Sequence, residues 1–513
     1  MNCIRVTATK HIRPFGFTCS VVVDMSDVRD TTSVSSRLRE RVKSISPTSL
    51  TLLGFIGFLG DAFPQLEVLT LFHLFWLFAL WPFASMLCAT VKQSLGFDEG
   101  EKGPRDWLEM NDGWRGQVAF LLGVPLSVLN PWMFRQDVMQ LFGSLVAGIR
   151  HRGSLPAPDT YTQATRYRLP VDGTWTVVNG SPIKAYSHSW FPATQRYAYD
   201  FVITDESGRS RPEGTDSSTE NYYCYDEPVL APASGVVVAV HDSDPELKRA
   251  GGLSHPLKRS LTGNCVMIRH ANMEYSCLAH LIPGSIEVEP GDTVECGEQI
   301  GRCGHSGNSS EPHLHFQLQD HPAFEVAAGL PVRFDDVTVD TPGVDVVKST
   351  DWTEPEGGPG SHIHVGQRVS HVPEMRSGES DTVGDSPDAT DTSKLSRVGT
   401  LSRVATGLSL GGFVTAVVGV VAPSRLTVVL ALAVLATLGL VYQVVRQFSN
   451  GGHVRLKSLS QGCGVGMAAM LLAVSVASGT FSSFSSLAVG AGVFTIGFVL
   501  YTAVWEYGRW SLV

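Results

Sequence analysis

Hydrophobic and polar positions follow two different patterns along this chain of 513 residues. Towards the C-terminus four stretches are almost continuously apolar: Val404–Ala422, Leu426–Val445, Gly464–Phe481 and Leu487–Trp505. Each approaches the roughly 20 residues that a helix needs to cross a bilayer. Their Gly, Ala, Ser and Val content suits close helix packing in lipid. Near the N-terminus Val68–Val91 has the same character, with Trp76, Trp81 and a single His73. Leu50–Phe63 is shorter and contains Asp61, which predicts a re-entrant or interfacial segment. Gln117–Ile149 is apolar but interrupted by Pro125, Pro131, Arg135 and Asp137, and reads as one interfacial or broken segment. The first 24 residues lack the long apolar core of a signal peptide, and Met25 opens a polar stretch expected of an initiator.

The middle of the chain changes texture. Short β-branched runs are cut by Gly and Pro, with no sustained 3.6-residue period. Val236–Val240, Cys265–Ile268 and His313–Leu318 predict strands, and Pro283-Gly284, Pro290-Gly291 and Gly304–Gly307 predict turns. The charged, turn-rich stretch Asp242–Thr262 predicts a surface insertion. Beyond Thr350 the chain turns to Gly, Ser, Asp and Thr, as in Pro359–Ser396, the composition of a flexible linker.

Composition sharpens this division. Charged residues are 17% and hydrophobic residues 43%, which excludes a wholly disordered chain. The net charge of -10 excludes a broad basic footprint for nucleic acid. The acidic excess lies in the middle, between slightly basic, apolar ends, as expected of a soluble domain held by membrane segments. The basic clusters at Arg37–Lys43, Arg150–Arg152, Lys394–Arg403 and Arg446–Lys457 all favour the cytoplasm by the positive-inside rule, and the side of the middle domain stays open. Of 9 cysteines, Cys224, Cys265, Cys277, Cys296 and Cys303 lie in the middle. None forms Cys-x-x-Cys, so they read as small buried side chains rather than a zinc knuckle.

The sharpest chemical feature is Pro312-His313-Leu314-His315-Phe316. On a strand, residues two apart face the same way, so both imidazoles enter one cleft and Leu314 faces the other side. Two convergent imidazoles suit a metal site with an adjacent base, although two histidines on a wet strand face give the same pattern. The preceding run Gly301–Ser309 is glycine-rich and lets the backbone follow a cleft. Upstream, His280 ends Tyr275–His280, and Asp200 stands between Tyr199 and Phe201. A carboxylate among apolar neighbours is costly to bury unpaired; a metal ion or an arginine would each offset that cost.

These segments together resemble the lysostaphin-type zinc metallopeptidases, β-rich endopeptidases that cut peptidoglycan cross-bridges. The resemblance is carried by Tyr199-Asp200-Phe201, Ala231–Val237, Tyr275–Leu281, Val288–Gly301 and Ser306–Phe316, about 150 residues in all. It implies Zn2+ as cofactor, with Asp200 and His315 as ligands, and His280 and His313 flanking a zinc-bound water as the catalytic pair. The family's first ligand lies four residues before the Asp. Here that residue is Arg196, which cannot bind zinc because it stays protonated. His188, the nearest upstream histidine, is the expected replacement. His241, His255, His270, His305 and His321 match no family ligand position and read as structural or solvated.

The resulting fold class is a mainly β catalytic domain of antiparallel sheets, flanked by α-helical transmembrane segments. The division is 1–48, a basic and polar N-terminal region; 49–160, a membrane-associated region; 161–347, the lysostaphin-type peptidase domain; 348–403, a flexible acidic linker; and 404–513, a four-helix transmembrane region. The expected function is a multi-pass, membrane-attached zinc metalloendopeptidase, with a peptide or peptidoglycan-like substrate and the lipid bilayer as partners. Two rivals share the pattern: an inactive binding or regulatory module of the same fold, which Arg196 favours, and an accessory domain of a transport protein. A lipoyl-type carrier is excluded, since no lysine stands between Cys265 and Phe334 to bear the cofactor.

Overall fold

The computed structural model describes residues 47–62, 64–81, 130–187, 189–250, 254–340, 360–372, 392–421 and 486–511. The chain forms two compact units, divided between Met86 and Leu87. In the first, helical segments Pro47–Ile56, Gly57–Ala62 (α1) and Pro64–Leu80 follow one another. The first and third have 3-10 geometry.

The second unit is built on one large antiparallel sheet. Its strands are β1 (Thr174–Asn179), β2 (Tyr199–Val202), β4 (Gly235–His241), β5 (Asn264–Ala271), β6 (Glu274–Leu281), β7 (Thr293–Val294), β9 (Leu314–Gln319), β10 (Gly329–Leu330), β11 (Val337–Asp340) and β12 (Arg368–His371). The order is β11-β12-β1-β2-β9-β6-β5-β4-β7, with β10 pairing β9. A separate ladder joins β3 (Pro228–Leu230) to β8 (Gln299–Arg302). The three sequence-predicted strands are β4, β5 and β9, with His313 just before β9.

The core lies where alternation puts it. Leu314, Phe316 and Leu318 of β9 join Phe201, Val266, Ile268 and Leu278 in one fully buried cluster. Their neighbours on β9, His315, Gln317 and Gln319, take the opposite face, as the two-residue period requires. That face is covered in part by helix α2 (Pro131–Arg150). Asn130 caps α2, its side chain accepting from Trp132 N and Met133 N. The same side chain donates to the carbonyls of Pro256 and Lys258 and so ties the helix to the Asp242–Thr262 loop. That loop is less superficial than its composition predicts. Asp244 and Lys258 are buried, and Asp244 Oδ2 accepts from the amides of Arg259 and Ser260.

The expectation of flanking transmembrane helices is overturned. Among the described residues no helix is long and apolar enough to cross a membrane. The multi-pass membrane reading, with the bilayer as partner, is corrected accordingly. The physical reason is visible in what the apolar runs touch. Within Gln117–Ile149 an amphipathic α2 packs on the β domain, with Gln136 donating to Glu325 and accepting from Leu261 N. Of the run Val404–Ala422, residues up to Val421 fall in α3 (Thr392–Val421), and Leu487–Trp505 falls in α4 (Ser486–Ser511). These two helices approach closely at Gly412 and Gly490. Arg135 of α2 donates to Ser409 of α3, and Tyr501 of α4 donates to Glu325. Glu506 pairs with Arg150 and Arg509. Run length alone cannot tell a lipid-facing helix from one packed on protein. Leu426–Val445, Gly464–Phe481 and the Met25 start lie outside the described residues, as does Val68–Val91 beyond Trp81.

The linker reading of 348–403 also changes. Arg368–His371 pairs with both β1 and β11 and extends the sheet. His362 and His364 beside it are buried. Polar composition hid this strand because it is only four residues long.

Close docking of α2 gives a test. A Cβ at Gly143 would lie 1.8 Å from the Glu325 carbonyl oxygen, whereas one at Gly148 meets nothing within 4 Å. Gly143→Ala is expected to destabilise by about 1–3 kcal/mol through overpacking. Gly148→Ala is expected to gain up to about 1 kcal/mol from helix propensity. Denaturant unfolding of the two variants with the same sign would refute this docking.

Candidate active site

Asp200 and His315 are direct cross-strand partners on β2 and β9, and Ala279 of β6 pairs with His315 on its other side. Three central strands thus bring together residues far apart in sequence. His315 Nδ1 lies 2.8 Å from Asp200 Oδ1, and His315 Nε2 lies 3.0 Å from Gln317 Oε1. Asn179 of β1 donates to Asp200 Oδ2 at 3.1 Å and to Ser189 Oγ at 3.1 Å. His313 Nε2 is 3.7 Å from Asp200 Oδ1.

His280 reaches the cluster through backbone geometry. The β5–β6 register shifts between Asn264 and Val266, opposite Leu281 and Leu278, which makes a bulge at Ala279-His280. His280 has φ 64°, a left-handed conformation that bulges use to re-aim a side chain. Its ring centroid lies 4.6 Å from that of His313 and 5.7 Å from that of His315.

Backbone carbonyls set the tautomers of two rings. His280 Nδ1 bonds the Ser306 carbonyl and His313 Nδ1 the Glu311 carbonyl, each at 2.8 Å. A carbonyl only accepts, so both Nδ1 atoms carry hydrogen and the Nε2 lone pairs are left for the cleft when the rings are neutral. Burial holds His280 well below the usual histidine range, helped by its neighbours His313 and His315. Burial likewise lowers His313. For His315 burial also pulls downward, but the hydrogen bond and charge of Asp200 outweigh it and the net shift is upward.

The structure therefore brings Asp200, His280, His313 and His315 together. His188 lies outside the described residues. Arg196 has its guanidinium 5.1 Å from the centroid of the Trp190 ring. Among the described residues no group of three or more His, Cys, Asp or Glu side chains is arranged to hold a metal ion. Asp200 and His315 offer one oxygen and one imidazole nitrogen on a shared axis, the donor types that zinc takes. The second ring nitrogen of His315 is anchored, as in metal-binding histidines generally. The donors fit zinc in type.

Of the histidines set aside, His270 is held by Ser234 O and Ser276 Oγ, His241 contacts Asp244, and His305 contacts Ser309. His321 is fully buried, and His255 Nδ1 accepts from Leu257 N. Sequence reasoning missed Asn179 and Gln317. The only signal for Gln317 was its place two residues after His315 on the same strand face. Cys224, Cys277 and Cys303 are buried and free, Cys265 is half-buried, and Cys296 is exposed.

Residues 214–325 match the family model described as Peptidase family M23. That segment contains His280, His313 and His315 but not Asp200. The chain is 34% identical over 113 residues to an uncharacterized metalloprotease of Haemophilus influenzae, covering 22% of this chain and 19% of that protein. It is 28% identical over 172 residues to the peptidoglycan DD-endopeptidase ShyA of Vibrio cholerae, covering 32% of this chain and 30% of that one. A solved zinc-containing peptidase from Vibrio cholerae aligns at 20% identity and a TM-score of 0.20, over 32% of this chain and 39% of that one. The chain thus spans less than a third of the length of these two curated relatives. Residues 214–325 of the β domain are thus similar to a peptidase family.

Proposed function

We propose that the chain is a zinc metalloendopeptidase that hydrolyses peptide bonds of peptidoglycan-like cross-links. The observation that carries this reading is the convergence of Asp200, His315, His313 and His280 on one face of β2, β9 and β6, within and beside the M23 segment. Asp200, His315 and His188 would hold the metal. Support for His188 comes from its neighbour: Ser189 Oγ and Asp200 Oδ2 accept from the same Asn179 amide nitrogen. When bound, zinc supplies Lewis acidity toward a water and the scissile carbonyl. His313 accepts the proton of the attacking water at Nε2, and His280 at its bulge assists proton transfer to the leaving amine. Retention of all four residues disfavours the inactive-module reading.

The test is direct. The purified chain is expected to retain about one zinc after dialysis and to release cross-linked peptides from isolated peptidoglycan. Zinc far below stoichiometry, together with no hydrolysis, would reject the proposal.

The proton-accepting role also fixes a pH dependence. Because burial lowers His280 and His313, both rings are neutral at pH 7 and protonate only on acidification. The acid limb of kcat/KM is expected below the unperturbed histidine value of about 6.5. A midpoint at or above that value argues against His313 as the proton acceptor.

A further inference from the structure

His315 is the first member of a polar ladder along β9. His315, Gln317 and Gln319 share one strand face, 7%, 0% and 0% exposed. Gln319 Nε2 donates to the His321 carbonyl at 2.6 Å. Gln317 Nε2 donates to the Thr194 carbonyl at 3.1 Å and to Gln319 Oε1 at 2.6 Å. Gln317 Oε1 then faces His315 Nε2 at 3.0 Å.

The direction of these bonds is not arbitrary. The Thr194 and His321 carbonyls can only accept, so both amide nitrogens must point at them. Each glutamine oxygen is thereby turned toward the residue before it in the ladder. At the end of the chain of bonds, His315 Nε2 meets an acceptor and must carry hydrogen. Reversing either amide would set an oxygen against a carbonyl in a dry interior, where an unmade bond costs most.

We propose that Gln317, oriented by the Thr194 carbonyl and by Gln319, is a positioning residue that keeps His315 Nε2 protonated and so leaves Nδ1, whose hydrogen Asp200 Oδ1 accepts in the metal-free chain, as the atom that would bind the metal. This rests on the reading of His315 as a zinc ligand. Nothing in a His-x-His motif chooses between the two nitrogens; two backbone carbonyls elsewhere in the fold make the choice.

The experiment uses the full chain with zinc titrated against a chromophoric chelator, and ring-15N-labelled histidine to follow an exchange-protected Nε2–H, assigned by its loss in His315→Ala. Gln317→Met keeps length but removes the strong acceptor. It is expected to weaken zinc binding by about 10–100-fold and to abolish the protected signal. Gln317→Glu keeps an acceptor and is expected to hold zinc within a few-fold of the native chain, though it lowers Tm by facing Thr194 O. If Gln317→Met does not fold, Gln319→Met reads the same effect one step removed, as a smaller loss of both zinc and signal. Unchanged zinc binding and an unchanged signal in a folded Met variant overturn the proposal. Equal zinc loss in the Met and Glu variants does so too. If the native chain binds no zinc, the zinc reading fails by itself. The ladder then stands only if the protected Nε2–H is present in the native chain and lost in Gln317→Met.

Discussion

His315→Ala is expected to strip the metal from the purified chain, while His313→Ala keeps most of it and loses hydrolysis. The two residues are two positions apart at the start of β9, yet their surroundings differ. His315 is anchored through Nε2 by Gln317 and turns Nδ1 to Asp200 at 2.8 Å. Removing it deletes one donor of a set that needs three, and two protein ligands rarely hold zinc tightly. His313 is anchored through Nδ1 by the Glu311 carbonyl, and its Nε2 stands 3.7 Å from the Asp200 oxygen. It is more exposed than His315, 13% against 9% of the side chain, which suits a group that meets water and substrate. Loss of a positioned general base typically costs about 10²–10⁴-fold in rate. Metal analysis beside hydrolysis rates of both variants decides the matter. If both lose zinc equally, the division of labour proposed for this strand is wrong.

Phe316→Ala is expected to cause the largest loss of stability of any change considered. Phe316 is fully buried in the main core, opposite Tyr199 on one side and Leu278 on the other. Its ring centroid lies 5.6 Å from that of Phe334. Truncating a buried Phe to Ala costs about 3–5 kcal/mol from lost transfer energy and the cavity left behind. That is a large share of the roughly 5–15 kcal/mol that holds a typical domain together. Phe316 sits between His315 and Gln317, so the metal site should loosen with the core. Leu257, 71% exposed, supplies the comparison: Leu257→Ala is expected to change stability by no more than about 0.5 kcal/mol. Thermal or urea unfolding that leaves Phe316→Ala as stable as Leu257→Ala contradicts this account of the core.

Much of the site was legible because it depends on local periodicity. His313-Leu314-His315 on a strand places Leu314 in the core and the imidazoles away from it, and the fold keeps that alternation through Gln319. Glycine and proline punctuation located the neighbouring turns for the same reason, since φ/ψ preferences act over a few residues. The helical ends were misread because an apolar run records only that water is avoided. The helices that hold Val404–Val421 and Leu487–Trp505 pack on one another, on α2 through Arg135–Ser409 and Arg150–Glu506, and on the β domain through Tyr501–Glu325. The polar strand Arg368–His371 was missed because β1 and β11, remote in sequence, supply its pairing.

By itself, then, the sequence determined which side chains are candidates for the chemistry and which face of β9 they share, since both follow from residue type and a two-residue period. Only the tertiary structure decided their partners. Asp200 meets His315 across 115 positions through the register of β2 on β9. His280 turns toward them because a bulge puts it at φ 64°. The protonated nitrogen on each ring is chosen by carbonyls at Ser306, Glu311 and, through Gln317, Thr194. A carbonyl donates nothing, so its position in space, set by the packing of the whole sheet, fixes where each proton resides.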